Sequence, residues 1–292
     1  MIMRNVIYVL MAMTLSFAAS AQSQDYQRKY NLLLERVGPA GVGMETLIEN
    51  WGQADPNSLD MLQARFYFYI AKAQGTEIVA RQESKYLGVS PVLTLKDSTG
   101  ANVHYYEVVK YEDELFAEAI RAVDKGISLS PDRLDWRFMK ANAYRSYELE
   151  SPDVALSNIL GLVHDFMTSN TKWLYKDSES ADPHVVDKVE FVDMMKQHCV
   201  AFYSLGTPSS YRAFLKLSQK MNGYFPKDAD FIGYMGTYYL VAEQDYKAAI
   251  KHYDKALKLQ PGNKDLINNA LIAARKMKNT KLEKKYRKML EA

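Results

Sequence analysis

The stretch 230–263 reads DFIGYMGTYYLVAEQDYKAAIKHYDKALKLQPGN and decides the fold of this chain. Its first half sets large side chains at helical spacing around the small residue Gly236. In its second half, Ala249, Tyr253 and Leu257 recur at i, i+4 and i+8, which is the spacing of one helix face. Large residues that face Gly and Ala allow two antiparallel helices to approach closely. The stretch therefore predicts a helical hairpin.

The second helix of this hairpin carries the pattern Tyr-x-x-Ala-x-x-x-Tyr-x-x-Ala over 246–256 and is closed by Pro261. This pattern, with the small residue in the first helix, resembles the tetratricopeptide repeat (TPR). The same rhythm recurs over 117–131, and a degenerate copy lies over 211–226. The interval from Pro226 to Pro261 is 35 residues, close to the TPR period of about 34.

The resemblance implies an all-α, TPR-like helical-hairpin solenoid over 22–292, ending in a pair of capping helices over 263–291. Helical periodicity and N-cap residues set the bounds of the individual helices. The predicted helices span 23–37, 42–53, 57–74, 76–86, 111–129, 132–149, 152–167, 185–205, 208–222, 228–242, 245–259, 263–277 and 280–291.

Two segments interrupt the helical rhythm. Residues 91–109 hold two runs of β-branched and aromatic residues around the turn Asp97-Ser98-Thr99-Gly100, which predicts one β-hairpin insertion. This insertion falls between helix 57–74 and its partner helix 111–129. Residues 168–184 are polar and predict a loop.

The first residues predict an export signal. Arg4 precedes an uncharged apolar run, and Ala19-Ser20-Ala21 has the small-x-small pattern of a cleavage site. The run is too short for a membrane span, which needs about 20 residues. We expect a signal peptide over 1–21 and a mature chain that is periplasmic or secreted.

Composition excludes several classes of protein. Lys+Arg 37 against Asp+Glu 35 is too balanced for a dedicated nucleic-acid binder. The single cysteine, Cys199, excludes a disulfide within the chain and any metal site built on several cysteines. The stretch 275–292 is locally basic, with eight basic residues against two acidic ones. We interpret it as a solvated capping face, and a weak contact with anionic envelope surfaces is the alternative.

The sequence carries no catalytic motif of known spacing, such as G-x-S-x-G, a Walker A loop or H-E-x-x-H. Asp182, His184, Asp187 and Glu190 could offer metal ligands, but an exposed, charge-rich helix start is the preferred interpretation. His198-Cys199 lies within a helix, where adjacent side chains diverge by about 100°, so we expect a buried structural cysteine rather than a nucleophile. We expect no enzyme activity, no cofactor and no metal.

TPR arrays bind partner segments along the face lined by the first helix of each repeat. The resemblance therefore implies a non-enzymatic protein–protein interaction scaffold of the cell envelope, with a protein or peptide partner. Its candidate contact residues are Arg65, Tyr69, Asn142, Arg145, Tyr203 and Thr237. The alternative function is an envelope glycan-binding protein or hydrolase accessory that uses the inserted hairpin and the polar loop as a site rim.

Overall fold

A computed structural model describes residues 22–177 and 182–291, which fold into helices and two small antiparallel sheets. The helices are α1 (22–37), α2 (Met44–Ala54), α3 (Leu59–Ala73), α4 (Asp113–Leu129), α5 (Leu134–Tyr147), α6 (Asp153–Thr168), α7 (Lys188–Ser204), α8 (Pro208–Tyr224), α9 (Ala229–Val241), α10 (Tyr246–Leu259), α11 (Lys264–Lys276) and α12 (Thr280–Glu291). The strands are β1 (Gln74–Arg81), β2 (Leu93–Lys96), β3 (Asn102–Tyr111), β4 (Leu174–Tyr175) and β5 (His184–Val185). The predicted all-α fold class with a β-hairpin is confirmed, whereas the expected leader over 1–21 lies outside the described residues.

The chain divides into two compact units. Unit 1 comprises the residues up to Ile78 together with Glu107–Ala143. Unit 2 comprises Val79–Tyr106 together with the residues from Tyr144 onward. In the described part of the chain, no helix is both long enough and apolar enough to cross a membrane.

In unit 1, α3 and α4 pack together as the two arms of a helical hairpin. Ser58 caps α3, because its hydroxyl accepts a hydrogen bond from the Met61 N–H at 3.2 Å. The Glu112 N–H donates to the Ala73 carbonyl at 2.9 Å, so the chain leaves α3 and returns to α4 at adjacent points. The predicted pairing of these two helices across an insertion is thereby confirmed.

In unit 2, each helix from α7 to α12 packs on the next, and α9 also contacts both α7 and α11. The core of the α9–α10 hairpin follows the predicted pattern, since Tyr253 and Ala249 are fully buried. A Cβ atom added at Gly236 would lie 2.8 Å from the Tyr253 ring. The small residue in the first helix therefore makes room for the large ring of the second.

The main sheet has the strand order β1-β3-β2. Strand β2 pairs antiparallel with β3, with Leu93 opposite Tyr105 and Lys96 opposite Asn102. The Asp97 carboxylate closes the turn by accepting hydrogen bonds from the backbone N–H groups of Thr99 at 2.8 Å and Ala101 at 3.0 Å. A hydrogen bond from the Thr99 hydroxyl at 2.7 Å is the main cause that lowers the pKa of Asp97, and the backbone hydrogen bonds lower it further. The predicted hairpin is confirmed.

The predicted helix over 76–86 is wrong, because this stretch contains most of strand β1. Exposure alternates along β1 from Glu77 to Arg81, which is the period of two expected of a strand. The β-branched residues Ile78 and Val79 favour that conformation. Pairing with β3 supplies the backbone partners that a local reading of the sequence does not reveal.

Within unit 2, the base of the insertion is firmly packed. Tyr106 is fully buried, and its hydroxyl donates to the carbonyl of Glu83. The Tyr86 ring lies 5.5 Å from the Tyr106 ring, and the Tyr86 hydroxyl donates to the Glu150 carboxylate. Arg81 adds an ion pair to the same carboxylate at 3.5 Å.

The predicted loop over 168–184 begins at the end of α6 and contains a short ladder in which β4 pairs with β5. Next to this ladder the Val186 N–H donates to the Trp173 carbonyl at 3.0 Å. The Phe166 ring stacks on the Phe191 ring at 3.7 Å between centroids. The Trp173 ring of the segment stacks on the other side of this pair, at 6.2 Å from the Phe166 ring, so Trp173 is packed against α6.

Candidate partner-binding groove

One side of unit 2 is formed by α7, α9 and α11, which are the first helices of successive hairpins. Each begins at a capping side chain that accepts backbone N–H groups of the first turn, which fixes where the helix starts. Asp187 caps α7, Asp228 caps α9 and Asn263 caps α11. A second restraint joins the first two helices, because Lys196 on α7 forms ion pairs with Asp228 at 3.1 Å and Asp230 at 2.7 Å.

These three helices line a groove of about 500 Å³. The side chains around it are two tyrosines, three aliphatic groups, two amides, one hydroxyl and one ammonium, without a carboxylate among them. They are Tyr203 from α7, Thr237, Leu240 and Val241 from α9, Gln244 from the turn after α9, Tyr246 from the start of α10, and Asn269, Ile272 and Lys276 from α11.

Two of the predicted contact residues, Tyr203 and Thr237, meet in this groove. The Tyr203 ring is held by the Tyr211 ring at 5.5 Å and the Phe214 ring at 5.3 Å, so it is positioned before any ligand binds. The Thr237 hydroxyl is already hydrogen-bonded to the Tyr253 hydroxyl at 3.1 Å. Thr237 therefore joins α9 to α10 as well as lining the groove.

The prominent features of the groove that sequence reasoning missed lie on α11. Ile272 is 43% exposed although it is large and apolar. Lys276 lies one turn further along the helix and forms no ion pair with any residue that the structure describes. Ile272 falls outside the buried stripe of α11, which includes Leu266 and Ala270, and that departure is the signal that could have identified it.

The predicted residues Arg65 and Tyr69 lie on α3, in unit 1. The Arg65 guanidinium lies 5.5 Å from the centre of the Tyr69 ring and 3.6 Å from the Glu118 carboxylate. Arg65 and Glu118 help to line a charge-rich cavity of about 620 Å³. A hydrogen bond from Arg121 is the main cause that lowers the pKa of Glu118. Arg65 is thus already engaged with protein groups.

The other two predicted residues, Asn142 and Arg145, lie on α5. Asn142 is exposed, whereas Arg145 is partly buried, and burial lowers the pKa of its guanidinium. Both side chains make interactions within the protein. Burial is the main cause that lowers the pKa of His198 to about 4, and the positive charge of Arg145 lowers it further.

The remaining candidate chemistry of the sequence is accounted for by structural contacts. Cys199 is fully buried, and burial raises the pKa of its thiol to about 12, so the reactive thiolate is scarce at neutral pH. His184 lies 2.7 Å from Glu190, while Asp187 is the cap of α7. Over residues 22–177 and 182–291, no cluster of three or more His, Cys, Asp or Glu side chains could hold a metal ion.

Comparisons with known proteins add little to this geometry. No family model matches the chain, and no curated protein matches it. Among solved structures, the crystal structure of MamA protein is similar at 18% identity, covering 60% of this chain and 79% of that chain, with a TM-score of 0.33. A likeness of this size carries no argument, so function has to be argued from the groove itself.

Proposed function

We propose that this protein is a non-enzymatic interaction scaffold that binds a segment of a protein partner in the groove of unit 2. The observation that carries the proposal is the combination of an exposed apolar side chain, Ile272, with the positioned ring of Tyr203 and the ammonium group of Lys276. Rigid aromatic anchors and apolar pockets supply most of the binding energy in protein interfaces.

The chemistry of the groove defines the partner segment. Covering the side chain of Ile272 removes apolar surface from water, and full burial of such a side chain contributes about 1.5–3 kcal/mol. The amides of Gln244 and Asn269 can hydrogen-bond the backbone of a bound peptide. Since Lys276 is the one charged group in the lining, we expect the segment to carry a carboxylate next to an apolar residue.

The carboxyl groups support binding over hydrolysis as the activity. A general acid for glycoside hydrolysis needs a raised carboxyl pKa. In the described part of the chain, every carboxyl group with a resolved shift has a lowered pKa, caused by hydrogen bonds or ion pairs: Asp25, Asp97, Glu118 and Glu283. These shifts argue against hydrolysis by this chain and leave the alternative of a glycan-binding protein or hydrolase accessory untested.

The envelope is the proposed place of action, on the basis of the export signal over 1–21. N-terminal sequencing of the protein recovered from its native host should begin at Gln22 or within a residue or two. Retention of Arg4 in the recovered protein would overturn the export proposal and leave the groove proposal standing.

The groove is tested by selecting peptides from a displayed random library on residues 22–292 and measuring their dissociation constants. We expect the selected peptides to share an apolar residue beside an acidic one. Ile272→Asp should weaken their binding by tenfold or more, because it places a carboxylate where an apolar side chain docks. Lys276→Glu should also weaken binding, and exchanging the acidic residue of the peptide for Lys should restore it.

The matched control is Leu259→Asp. Leu259 is 42% exposed, close to the 43% of Ile272, but it lies at the end of α10 and does not line the groove. We expect this variant to bind the peptides as the parent does. Lys284→Ala tests the basic C-terminal helix and should also have little effect. Equal losses from Leu259→Asp and Ile272→Asp would contradict the proposal.

A further inference from the structure

The second helices of the last two hairpins, α10 and α12, share an outer face that is rich in lysine. Seven exposed lysines recur at helical spacing on the sides of these helices that face solvent. They are Lys247, Lys251, Lys255 and Lys258 on α10 and Lys281, Lys284 and Lys288 on α12. We call this surface the lysine face. It is larger than the basic stretch 275–292 of the sequence, because α10 contributes more than half of its lysines.

One ion pair joins the two helices along the middle of the lysine face. The Lys285 ammonium group of α12 lies 2.6 Å from the Asp254 carboxylate of α10. The hydroxyl of Tyr286, a fully buried side chain, donates to the same carboxylate at 3.0 Å. These two contacts hold α12 against α10, so the lysines of both helices belong to one surface.

The spacing of the residues places both rows of lysines beside this ion pair. Residues three or four positions apart lie on the same side of a helix. On α10, Lys251 lies three positions before the acidic partner and Lys258 lies four positions after it. On α12, Lys281 lies four positions before the basic partner and Lys288 lies three positions after it. The two rows therefore run side by side.

The carboxylates within α10 and α12 leave most of this charge unbalanced. Asp254 is paired with Lys285, and Glu283 is paired with Arg275 at 3.2 Å and Arg287 at 2.6 Å. None of the seven lysines of the face forms an ion pair with a residue that the structure describes. The face therefore carries excess positive charge, which solvent or a partner must balance.

The positive field of the lysine face also acts on a neighbouring ring. Burial is the main cause that lowers the pKa of His252, and the positive charges of Lys255 and Lys251 lower it further. The third carboxylate of the two helices, Glu291, lies at the last residue of α12 and can offset one charge at that end. The excess positive charge therefore remains along the rest of the face.

The composition of the lysine face indicates an anionic surface as its partner. Protein interfaces depend on aromatic and arginine anchors and are poor in lysine, and single-stranded nucleic acids stack their bases on aromatic rings. The tyrosines of these helices are engaged elsewhere, since Tyr253 and Tyr286 are fully buried and Tyr246 lines the groove. A lysine near a membrane surface acts through its charge alone and strengthens binding by about fivefold.

We propose that the lysine face binds the surface of a lipid bilayer that contains anionic phospholipids. Its charges are spread over two rows, which suits the two-dimensional array of lipid headgroups. The proposal is independent of the groove of unit 2. The groove is lined mainly by α7, α9 and α11, whereas the lysine face is formed by α10 and α12.

Flotation of residues 22–292 with lipid vesicles tests the proposal. We expect the protein to float with vesicles of phosphatidylcholine that contain about one third phosphatidylglycerol, and not with vesicles of phosphatidylcholine alone. Binding should be lost in about 1 M salt, where the Debye length falls to about 3 Å.

A matched pair of variants locates the binding surface, and each variant loses four positive charges. The face variant combines Lys251→Gln, Lys258→Gln, Lys281→Gln and Lys288→Gln. The control variant combines four changes at exposed lysines outside the face: Lys85→Gln, Lys96→Gln, Lys172→Gln and Lys188→Gln. The face variant should bind the anionic vesicles about a hundredfold more weakly than the parent, whereas the control variant should bind nearly as the parent does. Both variants should keep the melting temperature of the parent, because every altered side chain is exposed.

A second measurement identifies the face by its proximity to the lipid. A fluorophore attached to Lys255→Cys should be quenched by lipids that carry a quencher on the headgroup. A fluorophore attached to Lys85→Cys should be quenched much less, because this position lies outside the face. The native Cys199 is buried and does not take the label.

Three results would overturn the proposal. A parent protein that does not float with the anionic vesicles would show that the lysines serve only to keep the surface solvated. Equal weakening in the face and control variants would show that net charge, and not this face, causes binding. Tighter binding of duplex DNA than of the anionic vesicles in the same buffer would identify the face as a surface for nucleic acid.

Discussion

The α9–α10 hairpin and the inserted strands β1–β3 contain similar residues, yet they use them differently. In the hairpin, the large apolar and aromatic side chains pack inward, and Tyr253 is fully buried against Gly236. In the sheet, Tyr106 is fully buried, whereas Leu93 and Leu95 remain half exposed. Hydrophobicity alone therefore does not decide burial in this molecule.

The difference follows from the distance along the chain over which each region finds its partners. Tyr253 meets Thr237, 16 residues earlier in the same repeat, so the spacing of the residues already describes the contact. Tyr86, at the base of the insertion, bonds Glu150, 64 residues away. The residues near Tyr86 in the sequence give no indication that Glu150 is its partner. The helical repeats and the β2–β3 hairpin can be predicted from sequence because their contacts are local, whereas strand β1 and the contact of Tyr86 with Glu150 cannot.

Truncating the central ring of the hairpin should have the largest effect. Tyr253→Ala removes a fully buried aromatic side chain, which typically costs about 3–5 kcal/mol in the free energy of unfolding. Tyr253→Phe loses only the hydrogen bond to Thr237 and should cost about 1 kcal/mol. Urea unfolding followed by circular dichroism measures both variants. Similar costs for the two would mean that the ring itself contributes little.

Tyr106→Ala tests whether the insertion is part of the fold. The side chain is fully buried, so we expect a loss of about 3 kcal/mol, at the lower end of the range for aromatic truncation, because loop residues around it can relax. Leu93→Ala, at a half-exposed site on β2, should cost less than about 1 kcal/mol. If the Tyr106→Ala variant melted at the same temperature as the parent, the insertion would contribute little to the stability of the protein, unlike the α9–α10 hairpin.

Gly236→Ala should destabilise the close approach of α9 and α10. The added Cβ atom would lie 2.8 Å from the Tyr253 ring and 3.2 Å from the Ala249 carbonyl, so we expect a cost of about 1–3 kcal/mol. The matched control is Gly161→Ala on the exposed side of α6, where an added Cβ meets nothing within 4 Å. That change should stabilise the protein by about 0.5–1 kcal/mol through helix propensity. If both substitutions changed the free energy of unfolding in the same direction, the close packing of α9 and α10 at Gly236 would be contradicted.

Acid should weaken unit 2 through His198. Its folded pKa is lowered to about 4 from 6.5, so between these values the unfolded chain binds more protons than the folded chain. The contribution of neutral His198 to the free energy of unfolding is fully present above pH 6.5 and is lost as the pH falls toward 4. The loss should be about 2 kcal/mol by about pH 5.

Unfolding free energies of the parent and His198→Gln at several pH values measure this effect. The variant should lose less stability than the parent as the pH falls through this window. If the free energy of unfolding fell equally steeply with pH in both proteins, groups other than His198 would cause the acid sensitivity.

The residues of the candidate groove were likewise predicted from sequence only in part. Tyr203 and Thr237 were reached through the expectation that the first helix of each hairpin lines a binding face, and both line the groove. Ile272 and Lys276 were missed because α11 was interpreted as a capping helix. The position of a helix in a repeat predicts which face it buries, but a groove forms only where neighbouring helices bring their remaining faces together.

The sequence by itself determined the helices, most of their pairings and the inserted hairpin, because these depend on residue spacings of a few positions and on capping side chains. Only the tertiary structure decided that residues 74–81 form a strand, since the backbone partners of β1 come from β3 about 30 residues later. It also decided which apolar residues remain exposed, Ile272 in the groove and Leu93 with Leu95 on the sheet edge. Burial is a property of the surroundings that distant segments provide, and those surroundings exist only in the folded chain.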